Sequence, residues 1–268
     1  MNDTGEKQVK WQEIKSMADS RNTDPREIEI SLLKEGSIPL HYVRNIKAIS
    51  KEEQLQLLQT RVGVCGCGGL GLNIINHLAR MGVGHITVWD PDIFSESNLN
   101  RQLWSNFSNL GESKVDVCLE EIAKINPAVT VTSIQSRWED SAGDLFRQQN
   151  VIVDALDSIP ARLDLADACA AAGVPLVHGA VGGWYGQLTV IMPGDRCLHD
   201  WYGKFVQQGI ENVLGTLPFT AAVIASMQAA EAIKLLIGRE SVLKDEFCLV
   251  DLLDLSLERI KKCNNDVT

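Results

Sequence analysis

The sequence predicts an α/β protein with a Rossmann-like, mostly parallel sheet, and three observations support this. From residue 61 onward, short apolar runs rich in β-branched residues alternate with helical patterns, as in strand–helix–strand units with right-handed crossovers. A glycine-rich turn joins the first of these strands to the first of these helices. After residue 186, strand-like runs on both sides of one long apolar helix predict an antiparallel C-terminal extension of the sheet.

The individual elements follow from the residue patterns. The strands of the parallel part are predicted in RVGVC, HITVWD, VTVTSI, VIVDAL and VPLVHG. The helices between them are predicted in LGLNIINHLARMG, ESKVDVCLEEIAKINP and IPARLDLADACAAAG. In the first of these helices, Leu72, Ile75, Leu78 and Ala79 recur at helical spacing. The antiparallel extension is predicted in QLTVIMPG and in FCLVDLLDLSLERIKK, which has room for a pair of strands, around a helix at 219–237.

Residues 1–40 differ from the rest of the chain, because they are charged and mostly polar. WQEIKSMA and PREIEISLLKEG have helical tendency. We therefore expect a small helical N-terminal arm at 1–40, which covers the main domain or a partner subunit. One larger domain at 41–268 follows it.

Composition excludes several broad function classes. The formal net charge of −10 argues against a nucleic-acid partner, which requires a basic surface. The seven cysteines are an odd number and several lie in apolar runs, which indicates reduced thiols rather than a disulfide framework.

The apolar stretch from Phe219 is interrupted by Gln228, Glu231 and Lys234, so it predicts a buried helix rather than a membrane span. With a polar N-terminus that lacks a signal region, we expect a cytoplasmic protein.

The glycine turn, GVCGCGGLG, predicts a nucleotide site. Its pattern is G-x-G-G-x-G, at Gly66, Gly68, Gly69 and Gly71. Glycines there allow a tight turn and close approach of the backbone, and the following helix offers free N–H groups to a phosphate. Asp90 ends the second strand, about 20 residues further on, where it can accept hydrogen bonds from ribose hydroxyls. This motif does not distinguish NAD, FAD and ATP.

The run FSESNLNRQLW after the second strand adds hydrogen-bonding groups and a positive charge beside this turn. Arg101 can direct a fork of donors at phosphate oxygens. Asn98, Asn100 and Gln102 can orient ribose, phosphate or neighbouring loops. Lys114 begins the next predicted helix, from where its side chain can reach the same cavity.

Two carboxylates end a later strand, in VDALDS. Asp154 and Asp157 lie at the edge where open parallel sheets bind ligands, and a carboxylate there can hold Mg²⁺ together with phosphates. Asp154 has an alternative role as the cap of the helix that begins near Ile159. Two cations, several amides, a metal-binding acid and a glycine turn describe a triphosphate site better than a nicotinamide site.

These motifs closely resemble those of the ThiF/MoeB/HesA family, the bacterial relatives of ubiquitin-activating enzymes. The resemblance covers roughly residues 40–262 and rests on H-Y-V-R-N, G-C-G-G-L-G, D-P-D-I-F-S-E-S-N-L-N-R-Q, Lys114, D-A-L-D-S, G-A-V-G-G-W-Y-G-Q-L and I-A-S-M-Q-A-A-E-A-I-K-L-L. Members of this family use Mg-ATP to adenylate a carboxylate, usually the C-terminal glycine of a small ubiquitin-fold protein, and most are homodimers. The resemblance therefore implies that 41–268 is an ATP-binding adenylyltransferase domain.

The resemblance also implies roles for single residues. The positions implied to contact the nucleotide, its ribose and its phosphates are Gly66, Gly68, Gly69, Gly71, Asp90, Asn98, Arg101, Gln102 and Lys114. Among these, the aspartate would bind the ribose. Asp157 would bind Mg²⁺. Arg44 would reach from the partner subunit to the phosphates, as an arginine finger that neutralises charge when pyrophosphate leaves.

The chain departs from the family at the cysteines. Many relatives hold structural zinc with two C-x-x-C pairs, whereas this chain has Cys197 in GDRC and Cys263 in CNND. Two thiolates fall short of the four ligands of a closed zinc site. Although Asp195, His199 or Asp266 are nearby in sequence, we expect no zinc. FVQQGIENVLGT, where relatives that transfer sulfur or form a thioester have a cysteine, has none.

The expected function is Mg-ATP-dependent adenylation of a carboxylate, most directly the C-terminal glycine of a ubiquitin-like or sulfur-carrier protein. Such a carboxylate, with a pKa of roughly 3.5, is ionised at neutral pH, so the reaction requires no general base. Adenylation of a small-molecule or peptide carboxylate on the same fold is the alternative. An NAD-dependent oxidoreductase would leave Arg101, Lys114 and Asp157 unexplained. The intact phosphate-binding set argues against a non-catalytic scaffold.

Overall fold

The N-terminal arm contains helices, as the sequence predicts. The computed structural model describes residues 7–141, 143–203 and 211–262. The first elements are β1 (Gln8–Val9), α1 (Trp11–Arg21), α2 (Pro25–Lys34), β2 (Ile38–Pro39) and α3 (Lys51–Leu58), and β1 pairs in parallel with β2. In α2, Arg26 Nη1 donates to the Gly84 carbonyl at 2.6 Å and to Thr130 Oγ1 at 3.1 Å, both in the main body. The boundary between residues 40 and 41 stays a prediction.

The main body contains the alternating elements that the patterns predict. In chain order they are β3 (Arg61–Cys65), α4 (Gly71–Met81), β4 (His85–Trp89), α5 (Lys114–Ile125), β5 (Thr130–Ile134), α6 (Gly143–Arg147), β6 (Val151–Asp154), α7 (Ile159–Ala172), β7 (Leu176–Gly182), β8 (Tyr185–Ile191), α8 (Cys197–Tyr202), α9 (Glu211–Leu214), α10 (Pro218–Leu236), β9 (Glu246–Asp251) and β10 (Ser256–Lys261). Short 3-10 helices occur at Leu40–Tyr42, Glu96–Asn98, Trp138–Asp140 and Val242–Lys244.

In the described residues, the main sheet has eight strands in the order β10-β9-β8-β7-β6-β3-β4-β5. The strands from β7 to β5 run parallel, and β8, β9 and β10 extend the sheet in antiparallel fashion. This confirms the predicted fold class. The last apolar run, FCLVDLLDLSLERIKK, forms the hairpin of β9 and β10.

Helices cover both faces of the central parallel strands, which explains why β3 and β6 are mostly apolar and buried on both faces. Alternation along β6 shows this directly: Val151 and Val153 join the core cluster beneath α4, α5 and α10, while Ile152 joins the cluster beneath α7 and α8. Among the described helices, α10 alone is long and apolar enough to cross a membrane, but more than half of it is buried, and it packs on α4, β7 and β8. It is therefore a core helix, as predicted.

The strand order places a crevice at the centre of the sheet. From β3, the chain adds β4 and β5 on one side and then returns to add β6 and β7 on the other. At the end of the β3–β6 ladder, Cys65 lies opposite Asp154. Open α/β sheets bind their ligands at such a reversal of strand order.

Candidate active site

A cavity of about 930 Å³ opens at the carboxyl ends of β3, β4 and β6. Most of the residues that the sequence analysis selected line it together: Gly66, Gly68, Gly69, Asp90, Asn98, Arg101, Gln102, Lys114 and Asp157. Gly71 and Arg44 are outside this lining. The volume is in the range of a cofactor or substrate pocket.

The glycine turn requires glycine for two different reasons. Gly66 has a φ of +103°, and a Cβ there would lie 2.5 Å from the Ala155 carbonyl oxygen. A Cβ on Gly71 would lie 1.8 Å from the Gly66 carbonyl oxygen, so this glycine permits the turn to close on itself. A Cβ on Gly68 would find no neighbour nearer than Gln102 Nε2, at 4.0 Å. The turn is therefore closed towards the protein and open towards the cavity.

Asp90 joins the glycine turn to the loop after β4. Its Oδ2 accepts the Cys67 N–H at 2.6 Å, and its Oδ1 accepts the Asp92 N–H at 2.8 Å. Burial raises the pKa of Asp90, while the Lys114 ammonium and the two backbone hydrogen bonds act in the opposite direction. Since each carboxylate oxygen can accept more than one hydrogen bond, the group still has capacity for ribose hydroxyls.

Lys114 is the first residue of α5, and its side chain is only 6% exposed. Its Nζ lies 2.9 Å from Asp92 Oδ2 and 3.8 Å from Asp90 Oδ1. The two carboxylates hold a buried cation at the wall of the cavity. Such a cation stabilises a phosphate anion strongly, because little water screens it.

The loop between β4 and α5 presents two further polar side chains. Asn98 Oδ1 accepts the Ser95 N–H at 2.9 Å, which closes the 3-10 turn that precedes Arg101. Arg101 Nη1 donates to the Ser97 carbonyl and to Asn100 Oδ1. Asn98 therefore shapes the loop that carries the arginine. Any contact of Asn98 with ATP stays a prediction.

Gln102 carries a polar atom that the protein leaves without a partner. Its side-chain oxygen Oε1 is buried and has no hydrogen-bond donor among the described residues. The amide lies at the open side of Gly68, within the cavity lining. Buried polar atoms are nearly always satisfied, so this oxygen indicates that a ligand or ordered water completes the site.

The structure separates the two aspartates of VDALDS. Asp157 is exposed and lines the cavity. Asp154 is completely buried: its Oδ1 accepts the Leu156 N–H at 2.9 Å, and its Oδ2 lies 2.6 Å from His178 Nδ1. The N-cap of α7 is Ser158, so Asp154 does not cap that helix. Of the two carboxylates, only Asp157 is accessible to a metal in the cavity.

Arg44 is exposed and lies outside the lining of the cavity. Its segment is anchored by Tyr42, a fully buried side chain whose hydroxyl oxygen accepts from Asn126 Nδ2 at 2.8 Å and whose hydroxyl group donates to Glu29 Oε2 at 3.2 Å. The predicted arginine finger is therefore held away from the cavity of its own chain. Its role in a partner's site stays a prediction.

Asp195, which lies beside Cys197 in the candidate zinc segment, is held in an ion pair. Lys262 Nζ donates to Asp195 Oδ2 at 2.8 Å and to the carbonyls of Val190 and Lys244. Burial raises the pKa of the neighbouring Cys197 thiol to about 12. No cluster of three or more potential metal-ligating His, Cys, Asp or Glu side chains occurs in residues 7–141, 143–203 and 211–262. The remaining zinc candidates, at positions 263 and 266, lie outside the described residues.

Several functional candidates were missed by sequence reasoning. Arg137 and Trp138, after β5, also line the cavity. The polar run that follows β5 at the carboxyl edge of the sheet was a usable signal for these two. Arg162 also lines the cavity, and His178 is buried behind it. No local pattern distinguishes these last two, since each lies within an apolar helix or strand.

Comparison with known proteins identifies the family. The model of the ThiF family matches residues 42–267. The SAMP-activating enzyme E1 of Haloferax volcanii is 34% identical over 219 residues, which cover 79% of this chain and 80% of that protein. The molybdopterin-synthase adenylyltransferase of Escherichia coli is 32% identical over 234 residues (84% and 93%). The sulfur carrier protein adenylyltransferase of Thermus thermophilus is 32% identical over 225 residues (79% and 82%).

Solved structures show the same architecture. Escherichia coli MccB with ATP superposes with a TM-score of 0.70 at 20% identity, covering 85% of this chain and 72% of that chain. MccB in complex with N-formylated MccA gives a TM-score of 0.72 at 21% identity (85% and 73%). At this identity the likeness shows the fold alone. The family match and the relatives above 30% identity go further: the chain belongs to the ThiF family and is an adenylyltransferase.

Proposed function

We propose that this chain uses Mg-ATP to adenylate the C-terminal glycine of a ubiquitin-like or sulfur-carrier protein, forming an acyl-adenylate and releasing pyrophosphate. The observation that carries the proposal is the convergence of Lys114, Arg101 and Gln102 with Asp157 around one glycine turn. The substrate class comes from the relatives, whose names specify SAMP, molybdopterin synthase and a sulfur carrier protein.

The side chains of the cavity can offset the repulsion between the two negatively charged reactants. The attacking carboxylate and the α-phosphate are both anionic, so catalysis needs positioning and cations rather than a general base. Lys114 supplies a buried positive charge, and the α4 helix begins at the glycine turn with its free N–H groups. The exposed part of the Arg101 guanidinium adds fork-shaped donors at the cavity wall.

Asp157 is the residue that would hold Mg²⁺. The chemistry fits, because Mg²⁺ prefers one or two carboxylates together with substrate phosphates. Asp157 is exposed to the cavity, and the buried Asp154 is not. When bound, Mg²⁺ would neutralise phosphate charge and orient the leaving pyrophosphate.

The proposal extends to assembly and location. Arg44 serves the site of a second copy of the chain in a homodimer, which agrees with its exposure on an anchored segment outside its own cavity. Residues 41–268 form the adenylyltransferase domain, and 1–40 form an arm that covers it. The protein acts in the cytoplasm, which agrees with six described cysteines that are all free and buried.

The first test is calorimetric titration of the purified chain with Mg-ATP and, separately, with NAD. Arg101→Ala should weaken Mg-ATP binding about 10- to 100-fold, because charged hydrogen bonds contribute about 1.5–3 kcal/mol. Arg147→Ala is the matched control, since Arg147 is exposed in a surface ion pair with Asp144. Pyrophosphate exchange with a candidate carrier protein, intact and without its terminal glycine, then tests the substrate.

Three results would contradict the proposal. Binding of NAD without ATP would favour an oxidoreductase. Equal ATP affinity in Arg101→Ala and Arg147→Ala would remove Arg101 from the site. Exchange that does not depend on the carrier's terminal glycine would point to a small-molecule or peptide carboxylate.

A further inference from the structure

A chain of hydrogen bonds, completely buried at His178 and Asp154 and partly buried at Tyr202, runs from the end of α8 to the loop that carries Asp157. We call Tyr202, His178 and Asp154 the buried relay. The Tyr202 hydroxyl lies 3.1 Å from His178 Nε2, and His178 Nδ1 lies 2.6 Å from Asp154 Oδ2. His178 and Asp154 are completely buried, so neither touches the cavity.

The direction of each hydrogen bond in the relay follows from the donor and acceptor groups involved. A carboxylate oxygen is a hydrogen-bond acceptor, so His178 Nδ1 is the donor to Asp154. Burial lowers the pKa of His178, which keeps the ring neutral and leaves Nε2 as an acceptor for the Tyr202 hydroxyl. The Tyr202 oxygen in turn accepts from Gln187 Nε2 at 2.6 Å, and Gln187 Oε1 accepts from Trp201 Nε1 at 2.9 Å. Each polar atom along this path has a partner of the right kind.

The relay ends on the backbone of Leu156, the residue before Asp157. Asp154 Oδ1 accepts the Leu156 N–H at 2.9 Å. The Leu156 carbonyl accepts from Arg162 Nη2 at 2.8 Å and from Arg162 Nε at 3.2 Å. Arg162 Nε also lies 4.0 Å from Asp154 Oδ2. The N–H group and the carbonyl group of Leu156 are therefore both held by the same cluster of buried side chains.

Asp157 has no comparable support of its own. In the part of the chain that the structure describes, no hydrogen bond or ion pair holds its carboxylate, which is exposed to the cavity. Its position therefore depends on the backbone before it, which Asp154 and Arg162 hold. A shift of about 1 Å in a group that positions a substrate has a large effect on an enzyme.

We propose that the buried relay is a positioning device, in which the Tyr202 hydroxyl at the end of α8 fixes the loop that presents Asp157 and thereby sets the Mg²⁺-dependent affinity for ATP. Tyr202, His178 and Asp154 are positioning residues, since they act through Leu156 and touch neither nucleotide nor metal. The part of this inference that concerns Mg²⁺ and ATP rests on the proposed function. The part that concerns the loop does not.

The test compares Tyr202→Phe with Thr189→Val. Each substitution removes one hydrogen-bonded hydroxyl and keeps the approximate shape of the side chain. Thr189, on β8, is completely buried, and its hydroxyl donates to the carbonyls of Leu243 and Glu246, away from the loop. Thr189→Val therefore reports the general cost of a lost buried hydrogen bond.

Two readouts are measured on the full chain. The first is hydrogen–deuterium exchange over residues 151–160 without nucleotide, and the second is ATP affinity with and without Mg²⁺. Tyr202→Phe should speed exchange at Leu156 about tenfold and weaken Mg-ATP binding by a similar factor, as expected for about one buried hydrogen bond. ATP affinity without Mg²⁺ should stay near wild type, and Thr189→Val should leave both readouts unchanged.

Gln187→Met provides a milder variant if Tyr202→Phe fails to fold. It removes one donor to the Tyr202 oxygen but leaves the bond to His178, so a smaller change in both readouts is expected. Unchanged exchange over 151–160 in a folded Tyr202→Phe or Gln187→Met variant would overturn the relay. A wild-type chain that does not bind Mg-ATP would instead overturn the proposed function, and the exchange result would still decide the relay.

Discussion

Asp90 and Asp154 occupy equivalent places in the sheet but do different things. Each stands at the carboxyl end of a parallel strand, and each closes the same turn by accepting the N–H group two residues further on, at Asp92 or Leu156. The second oxygen differs: Asp90 accepts from Cys67 in the glycine turn, whereas Asp154 accepts from His178. Asp90 lines the cavity, and Asp154 is sealed from it.

Neighbouring strands account for this difference. Asp154 ends β6, which lies between β3 and β7, and β7 brings His178 against the carboxylate. Asp90 follows β4, whose neighbour β3 leads into the glycine turn, and this turn supplies a backbone N–H, that of Cys67, rather than a side chain. A strand-end aspartate therefore becomes a ligand-facing group or a structural one according to what the adjacent strand supplies.

The largest expected effect is on stability. Asp154→Ala should lower the free energy of unfolding by about 3–5 kcal/mol, because it removes the buried partner of both His178 and Arg162. Asp90→Ala should lower it by only about 1 kcal/mol, since the burial penalty on that carboxylate is removed as well. Urea denaturation measures both. Equal losses would show that the two aspartates are not functionally separated.

A second effect is expected on nucleotide binding beside Asp90. Lys114→Met should weaken ATP binding about 10- to 100-fold, because a buried cation at the cavity wall is lost. Lys124→Met is the control on the same helix, since Lys124 is exposed and paired with Glu121. Calorimetry compares the two variants with wild type. Similar affinities in both would rule out a phosphate contact of Lys114.

A smaller effect is expected on the Mg²⁺ dependence of ATP binding, at Asp157. Mg²⁺ should increase the ATP affinity of wild type more than that of Asp157→Asn, with a difference of about tenfold. The reason is that a neutral amide binds Mg²⁺ poorly. Because the side chain is exposed, the melting temperature should not change. Titration with ATP at several Mg²⁺ concentrations measures this. A variant with wild-type Mg²⁺ dependence would assign the metal to another residue.

The last effect appears only at acid pH and concerns the opposite end of β4, where His85 begins the strand. Burial, followed by the charges of Arg61 and Arg26, lowers the pKa of His85 to about 4. Between about pH 6.5 and 4, the unfolded chain binds this proton and the folded chain does not, so stability falls as the pH falls through this range. His85→Gln should remove this contribution.

The measurement is the free energy of unfolding of wild type and His85→Gln at several pH values. As the pH falls, the free energy of unfolding of the wild-type chain should decrease more steeply than that of His85→Gln. The difference in slope corresponds to at most about one proton, bound by the unfolded wild-type chain and not by the folded one. Parallel curves for the two proteins would mean that His85 is protonated equally in the folded and unfolded chain.

Local patterns in the sequence were sufficient to predict the strands and helices and half of the site. Alternating apolar runs and helical periodicity determined the α/β class, because strand and helix periods are set by nearest neighbours along the chain. The glycine turn and Asp90 were predictable for the same reason. Gly66 needs glycine for its φ of +103°, and Gly71 needs it because a Cβ there would meet the Gly66 carbonyl, so both requirements arise within one strand–turn–helix unit.

Contacts between distant segments were decided only by the tertiary structure. VDALDS offered two carboxylates, and it was the packing of β7 against β6 that buried Asp154 and left Asp157 to the cavity. Lys262 reaches Asp195, 67 residues away, and Tyr202 reaches His178, 24 residues away. Register and strand order bring these groups together. They depend on the packing of the whole sheet, which no local pattern records.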